Sequence, residues 1–348
     1  LKKRLTVLAL VLAGLLALDI LPGGVLPQGH AAPLSPVTAR TKKHHRRVRH
    51  RRRRYVRRYW SPWHVSSYDK DPGAGDNTQG EDLAVRQAAV EALGHWNGSI
   101  VVVDPNDGRI LTIVNQKLAF SGAFRPCSTF KPIVALAALN RGIITPRTKL
   151  RVGRRWSIDL TDALAHSNNA FFHKLGEMVG FRTLSRYAHE FGLGEKAGWD
   201  IPGEQPGVFP AAPPKDGGVG DLAYLGEGIE VTPLQWAAVA SVIANGGTLY
   251  YLQYPRTQEQ LDHFEPKVRR QLTNVVAQIP KVRAGMAAAV NYGTARLAND
   301  AGEPIFGKTG TCSEDGARLG WFLSYSAGQS KYVVVVLLRG GQPMYGPH

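Results

Sequence analysis

Cysteine is nearly missing from this chain: two occur in 348 residues, Cys127 and Cys312, so at most one intrachain disulfide can form. Whether the two pair or remain thiols is open on the count alone. A membrane-length apolar run is missing too. The most apolar stretch, Leu5 to Leu18, is fourteen residues closed by Asp19, short of the roughly 20 that a spanning helix needs. There is no internal repeat, which excludes a repeat architecture. Acidic residues are few beside basic ones, 27 against 43, giving a net charge of +16. That imbalance is local. Residues 40–58 hold twelve Lys/Arg and residues 2–4 hold three more; without these fifteen and Asp19, 28 basic residues face 26 acidic ones. The body is close to neutral, and its pI near 10 says little about its chemistry.

What is present begins with an export signature. Lys2, Lys3 and Arg4 precede the apolar run, and a small-residue site follows at His30-Ala31-Ala32. Residues 1–32 therefore read as a signal peptide or a retained N-terminal anchor, with Pro33 a poor residue after a cleaved bond. Either outcome places the body outside the cytoplasm. Residues 33–81 read as a basic, disordered linker, lacking helical or strand period and carrying Asp71-Pro72-Gly73-Ala74-Gly75-Asp76. Its block over 40–58 suits an anionic envelope surface, at about 1 kcal/mol per charge; export argues against nucleic acid. His44, His45 and His50 extend the basic composition rather than form a metal site.

The folded part starts at residue 82. Leu83, Val85, Ala88, Ala89, Ala92 and Leu93 recur at helical spacing and end at Gly94. Ser99 to Val103 and Arg109 to Val114 flank the turn Asp104-Pro105-Asn106-Asp107-Gly108, a hairpin. Helices are predicted over 128–140, 160–175, 181–191 and 232–244, and strands over 304–311, 319–325 and 331–338. Strands first, helices between and strands last predict an α+β layout, with one antiparallel sheet built from both ends of the chain.

Three motifs carry chemistry: Ser128-Thr129-Phe130-Lys131, Ser167-Asn168-Asn169 and Lys308-Thr309-Gly310-Thr311. Ser-x-x-Lys alone is weak, for it also occurs at Ser67 to Lys70. Ser128 differs because it opens an apolar helical run, where i and i+3 side chains share a face. A helix N-terminus also supplies N–H groups and a dipole that opposes an ammonium, favouring a neutral Lys131. In a strand, Lys308 and Gly310 share one face, and glycine there marks a close approach. The bland readings are an N-cap for Ser128, a turn at Ser167 and an exposed edge lysine at 308.

With Val102-Val103-Asp104-Pro105, Phe191-Gly192-Leu193-Gly194, Ile201-Pro202-Gly203-Glu204, Gly226-Glu227-Gly228 through Gln235, and Trp321-Phe322, the chain resembles the transpeptidase domain of penicillin-binding proteins, in the serine β-lactamase-like superfamily. The likeness runs over residues 97–340. It implies a five-stranded antiparallel sheet flanked by helices, within a domain over 82–348. It also implies a D,D-transpeptidase or D,D-carboxypeptidase acting on peptidoglycan stem peptides, inhibited by β-lactams, without metal or cofactor. By the same resemblance Ser128 is the nucleophile, Lys131 its base and Ser167 a proton relay. Asn169 holds the substrate amide, Lys308 and Thr309 the terminal carboxylate, and the N–H groups of Ser128 and Thr311 the oxyanion. Cysteines at the offsets of Cys127 and Cys312 are bridged in some related carbapenemases, so a Cys127–Cys312 disulfide is predicted.

The departures set further expectations. No Glu-x-x-Leu-Asn deacylation motif occurs, and Asn291-Tyr292-Gly293 replaces a Tyr-Gly-Asn order, which makes a serine β-lactamase the second reading. A non-catalytic muropeptide or β-lactam sensor or scaffold is the third. Only 39 positions separate Ser128 from Ser167, predicting a reduced all-helical subdomain. No C-terminal helix follows the last predicted strand, so the helix starting at Asp82 or a partner would cover that face. Lacking a glycosyltransferase segment, the chain would work beside a glycan-polymerising partner.

Overall fold

In the computed structural model, which describes residues 63–328 and 332–341, the chain runs through α1 (Leu83–Leu93), the hairpin β1 (Gly98–Val103) and β2 (Ile110–Val114), and α2 (Gln116–Ser121). A 3-10 turn, Cys127–Phe130, leads into α3 (Lys131–Asn140), followed by the small hairpin β3 (Leu150–Arg151) and β4 (Ser157–Ile158). Next come α4 (Leu160–Ala165), α5 (Asn169–Val179), α6 (Phe181–Glu190), α7 (Gly218–Leu225) and α8 (Pro233–Asn245). The short pair β5 (Thr248–Tyr250) and β6 (Val268–Gln271) brackets α9 (Gln258–Asp262), and α10 (Ile279–Asn291) precedes β7 (Ile305–Glu314), β8 (Ala317–Ser326) and β9 (Val333–Gly340). Among these residues no helix is long and apolar enough to cross a membrane.

The main sheet has the order β2-β1-β9-β8-β7, all antiparallel. It is the predicted α+β sheet assembled from both ends of the chain. Its inner face carries Val101, Val103, Val333, Val335, Leu337, Trp321, Leu323 and Tyr325 into the larger core. There it meets α8, in which every residue from Pro233 to Ala244 is buried. A helix apolar on all sides has to be interior, and α8 is started cleanly by a Thr232/Gln235 capping box with Pro233 at its first turn. Helix α3 is equally enclosed, with nine consecutive buried residues from Lys131 to Leu139.

The outer face uses Ile100, Val102, Leu111, Val114, Phe322 and Val336. Helix α1 covers part of it through Ala89 and Leu93, while Val290, Ala295 and Ala298 complete the cover. The face is thus shared between α1 and the segment after α10, not left to α1 alone.

The linker expectation needs correction at its C-terminal end. Residues 63–81 carry no regular element, yet they pack onto the domain. His64 and Val65 N–H donate to Gly316 O at 3.0 and 3.4 Å, and Asn97 N–H donates to Ser67 O at 3.0 Å. Arg86 pairs with Asp76 at 2.8 Å, and buried Glu81 accepts from Thr112 Oγ1 at 2.8 Å and Ile113 N at 3.1 Å. Tyr254 OH also donates to Glu81. Polar side chains with fixed partners, rather than an apolar period, hold this stretch, so period-based reading passed over it. The export segment and the basic block over 40–58 lie outside the described residues.

Candidate active site

Ser128 and Lys308 lie 180 positions apart in the sequence, and the fold brings their motifs into one cleft. Ser128 sits in the 3-10 turn that feeds α3, so Lys131 follows one turn later and is wholly buried. Ser167 occupies the turn between α4 and α5, where Asn168 caps α5 by accepting from Phe171 N at 2.9 Å. This turn splits the single helix predicted over 160–175. Lys308 and Gly310 share the inward side of β7, across from Leu323 and Trp321. A Cβ on Gly310 would lie 2.9 Å from Thr129 Cγ2 and 3.1 Å from Pro126 O, so glycine lets the strand touch the turn that carries Ser128.

Three polar contacts surround the Lys131 amine: Ser167 O at 2.7 Å, Asn169 Oδ1 at 2.7 Å and Ser167 Oγ at 3.1 Å. Burial, with the charge of Lys308 adding to it, lowers the Lys131 pKa to about 6. Desolvation is the larger cause and the Lys308 charge the smaller. At neutral pH the amine then holds two hydrogens, and one of its three contacts must reverse. Ser167 Oγ is the partner able to donate. Lys308, also fully buried, donates to Ser167 Oγ at 2.8 Å and to Thr309 O at 2.7 Å, and burial lowers its pKa to about 7. One hydroxyl therefore joins two lysines whose protons are easily moved. The rings of Phe172 and Tyr224, with centroids 5.5 and 6.0 Å from Lys131 Nζ, offer π faces to the cation formed on proton uptake.

Strand β7 ends the sheet order, so one row of its backbone groups has no strand partner. In an antiparallel strand the N–H and C=O of one residue point to the same edge. Because Thr309 O accepts from Lys308 Nζ, Thr309 and Thr311 belong to that open row. The Thr309 hydroxyl itself donates to Thr294 Oγ1 at 2.7 Å.

The turn that carries Ser128 is stitched to β7. Cys127 and Cys312 form the predicted disulfide, with Cα atoms 5.7 Å apart and 185 positions between them. Arg125 N–H donates to Glu314 Oε2 at 2.9 Å, and Trp321 Nε1 donates to Arg125 O at 2.9 Å. The Arg125 guanidinium pairs with Glu227 at 2.9 Å. Burial pushes the Glu314 carboxyl up, against the lowering effect of the Arg125 N–H. Behind the turn, Trp236 Nε1 donates to Thr129 Oγ1 at 2.7 Å. Cys127 and Ser167 both adopt left-handed backbone, at φ +53° and +52°, a conformation that costs a non-glycine residue about 1–3 kcal/mol and concentrates at functional sites.

Of the residues selected from sequence, Lys131, Ser167, Asn169 and Lys308 meet through hydrogen bonds, Gly310 lies against the turn that carries Ser128, and Cys127 is bonded to Cys312. Sequence reading missed Arg125, Tyr224, Trp236, Thr294 and Glu314, which reach the site only through tertiary contacts.

Residues 98–348 match the family described as the penicillin binding protein transpeptidase domain. Stage V sporulation protein D of Bacillus subtilis is 29% identical over 267 residues, spanning 64% of this chain and 41% of that protein. Peptidoglycan D,D-transpeptidase FtsI of Escherichia coli is 26% identical over 284 residues, 71% of this chain and 47% of its own length. The chain thus spans less than half the length of these relatives. Among solved structures, Pseudomonas aeruginosa PBP2 in complex with WCK 5153 aligns with a TM-score of 0.66 at 22% identity, covering 76% of this chain and 73% of that one. The transpeptidase domain of Burkholderia pseudomallei penicillin-binding protein 3 gives 0.64 at 20%, covering 78% and 90%. The chain belongs to the penicillin-binding protein transpeptidase family.

Proposed function

We propose that the chain is a serine D,D-transpeptidase or D,D-carboxypeptidase of the cell envelope, acting on peptidoglycan stem peptides. One observation carries the reading: a buried amine with a pKa of about 6, one helical turn beyond Ser128, shares the Ser167 hydroxyl with a second buried amine. A serine is a weak nucleophile until a base lies within reach, and a neutral lysine is such a base at physiological pH.

Ser128 Oγ attacks the carbonyl of the terminal D-Ala-D-Ala bond and passes its proton to Lys131. The oxyanion is held by the N–H groups of Ser128 and Thr311; loss of one such donor costs about 3–4 kcal/mol in other enzymes. As the C–N bond breaks, Ser167 gives its proton to the departing amine and recovers one from Lys131. The peptide is left as a Ser128 ester, which an acceptor amine or water then cleaves. Asn169 presents its amide nitrogen to the substrate carbonyl, while Lys308 and Thr309 receive the terminal carboxylate. A stem peptide lying extended along the open edge of β7 would pair with the Thr309 and Thr311 backbone. The basic block over 40–58 adds a loose contact with anionic envelope.

The test is intact-mass measurement after exposure to penicillin, with Ser128→Ala as control. A persistent adduct of one penicillin on the wild type and none on the variant is expected. An unlabelled wild-type protein that is folded would overturn the reading, and steady hydrolysis of a chromogenic cephalosporin would replace it with a β-lactamase.

A further inference from the structure

The β3–β4 hairpin takes no part in the cleft. Leu150, Val152 and Ile158 turn inward onto the main core, and Lys174 Nζ on α5 fastens the hairpin by donating to Arg151 O at 2.6 Å. Apart from Trp156 and Ser157, the exposed side chains of this stretch are basic: Arg147, Lys149, Arg151, Arg154 and Arg155. At the return, Val152 and Gly153 N–H donate to Trp156 O at 3.0 and 3.2 Å, which leaves the Trp156 side chain 59% exposed. Met178, four residues beyond Lys174 on α5, is also exposed.

None of these five cations forms an ion pair among the described residues, whereas Arg86, Arg125, Arg269 and Arg270 all do. The nearby acids are committed elsewhere. Asp159 caps α4 through Asp162 N, and Asp162 accepts from Tyr292 OH. The hairpin therefore presents uncompensated positive charge around an exposed indole.

We propose that this hairpin docks on the headgroup layer of an anionic lipid bilayer, with its arginines and Lys149 on lipid phosphates and Trp156 in the interface. Guanidinium groups match phosphate oxygens two at a time. A soluble polyanion would use only the cations. An indole standing among them has its most favourable setting at a bilayer interface, where the ring is half in water and half in acyl chain. The charge is complementary to anionic headgroups, each nearby Lys/Arg adding to the attraction. Together with the twelve Lys/Arg of residues 40–58, the hairpin gives the chain two linked contacts on one surface, and linked contacts reinforce each other.

The experiment uses the full chain with vesicles of mixed phosphatidylglycerol and phosphatidylcholine, vesicles of phosphatidylcholine alone, and soluble polyphosphate. Replacing Arg147, Lys149, Arg151, Arg154 and Arg155 by Gln should weaken binding to the anionic vesicles about tenfold or more, with melting temperature and penicillin labelling unchanged. Lipids brominated near the headgroup should quench the wild type, and Trp156→Phe should remove that component. The proposal is overturned if the five-Gln chain binds anionic vesicles like the wild type, or if quenching is the same with and without Trp156. It is overturned equally if the five substitutions weaken binding to polyphosphate alone, for the surface would then serve a polymer.

Discussion

The two walls of the cleft are held in different ways. The wall bearing Ser128 is fixed to β7 by the Cys127–Cys312 bond, by Glu314 on the Arg125 N–H and by Trp321 on the Arg125 carbonyl. The hydroxyl of Ser167, on the other wall, is reached by two amines, Lys131 and Lys308. One wall is tied across by a covalent bond that does not titrate. The other depends on which of two lysines carries a proton. On the proposed mechanism, the position of Ser128 is thereby separated from proton traffic.

Removing the amine that joins the walls should have the largest effect. Lys131→Met should lower the acylation rate by about 10²–10⁴-fold, read by penicillin labelling over time with the melting temperature as a check on folding. A loss under tenfold would mean another group takes the Ser128 proton. Breaking the covalent wall comes next. Cys127→Ser with Cys312→Ser should cost about 2–5 kcal/mol of stability, a fall in Tm on the order of 10 °C. An unchanged Tm would show that the polar stitches alone hold that wall.

The pH response sharpens the contrast. Acylation by penicillin should climb about fivefold between pH 5 and 6 as Lys131 loses its proton, at a pKa of about 6. It should decline as Lys308, at about 7, ceases to be a cation for the substrate carboxylate. Both lysines have folded pKa values below their ordinary 10.5, so the unfolded chain binds more protons between about 6 and 10.5, and their contribution to stability rises with pH across that window. A flat rate profile from pH 5 to 8 would remove Lys131 as the base. The smallest effect belongs to Glu314→Gln, which keeps an acceptor for the Arg125 N–H and discards a charge. It should cost about 1 kcal/mol, measured by urea unfolding; a loss above about 3 kcal/mol would make Glu314 as important to that wall as the disulfide.

The motifs were legible because each is contiguous and its chemistry depends on short spacing. Strands β1, β2, β7, β8 and β9 were legible from runs such as Ile100 to Val103 and Val333 to Leu338, where β-branched and large apolar residues crowd a surface buried on both faces. Helix α10 was not. Its sequence, IPKVRAGMAAAVN, spaces Ile279, Val282, Met286 and Val290 as a helical stripe, but one thinned by the small residues between them. It packs by closeness instead: a Cβ on Gly285 would lie 2.5 Å from Leu164 Cδ1. Helix α7 and the partners Thr294 and Tyr224 were invisible for a related reason, since their roles arise only where distant elements meet. The packed stretch over 63–81 was misread because single charged residues hold it, and single charges have no period.

Residue Gly316 links the arm to the chemistry in a mechanical sense. It forms the tip between β7 and β8 at φ +71°, and a Cβ there would fall 1.9 Å from the His64 ring, so the chain entering the domain rests directly on that tip. The stretch entering the domain is thereby seated at the far end of the strand that carries Lys308, with Trp63 beside Gly341 and Arg318.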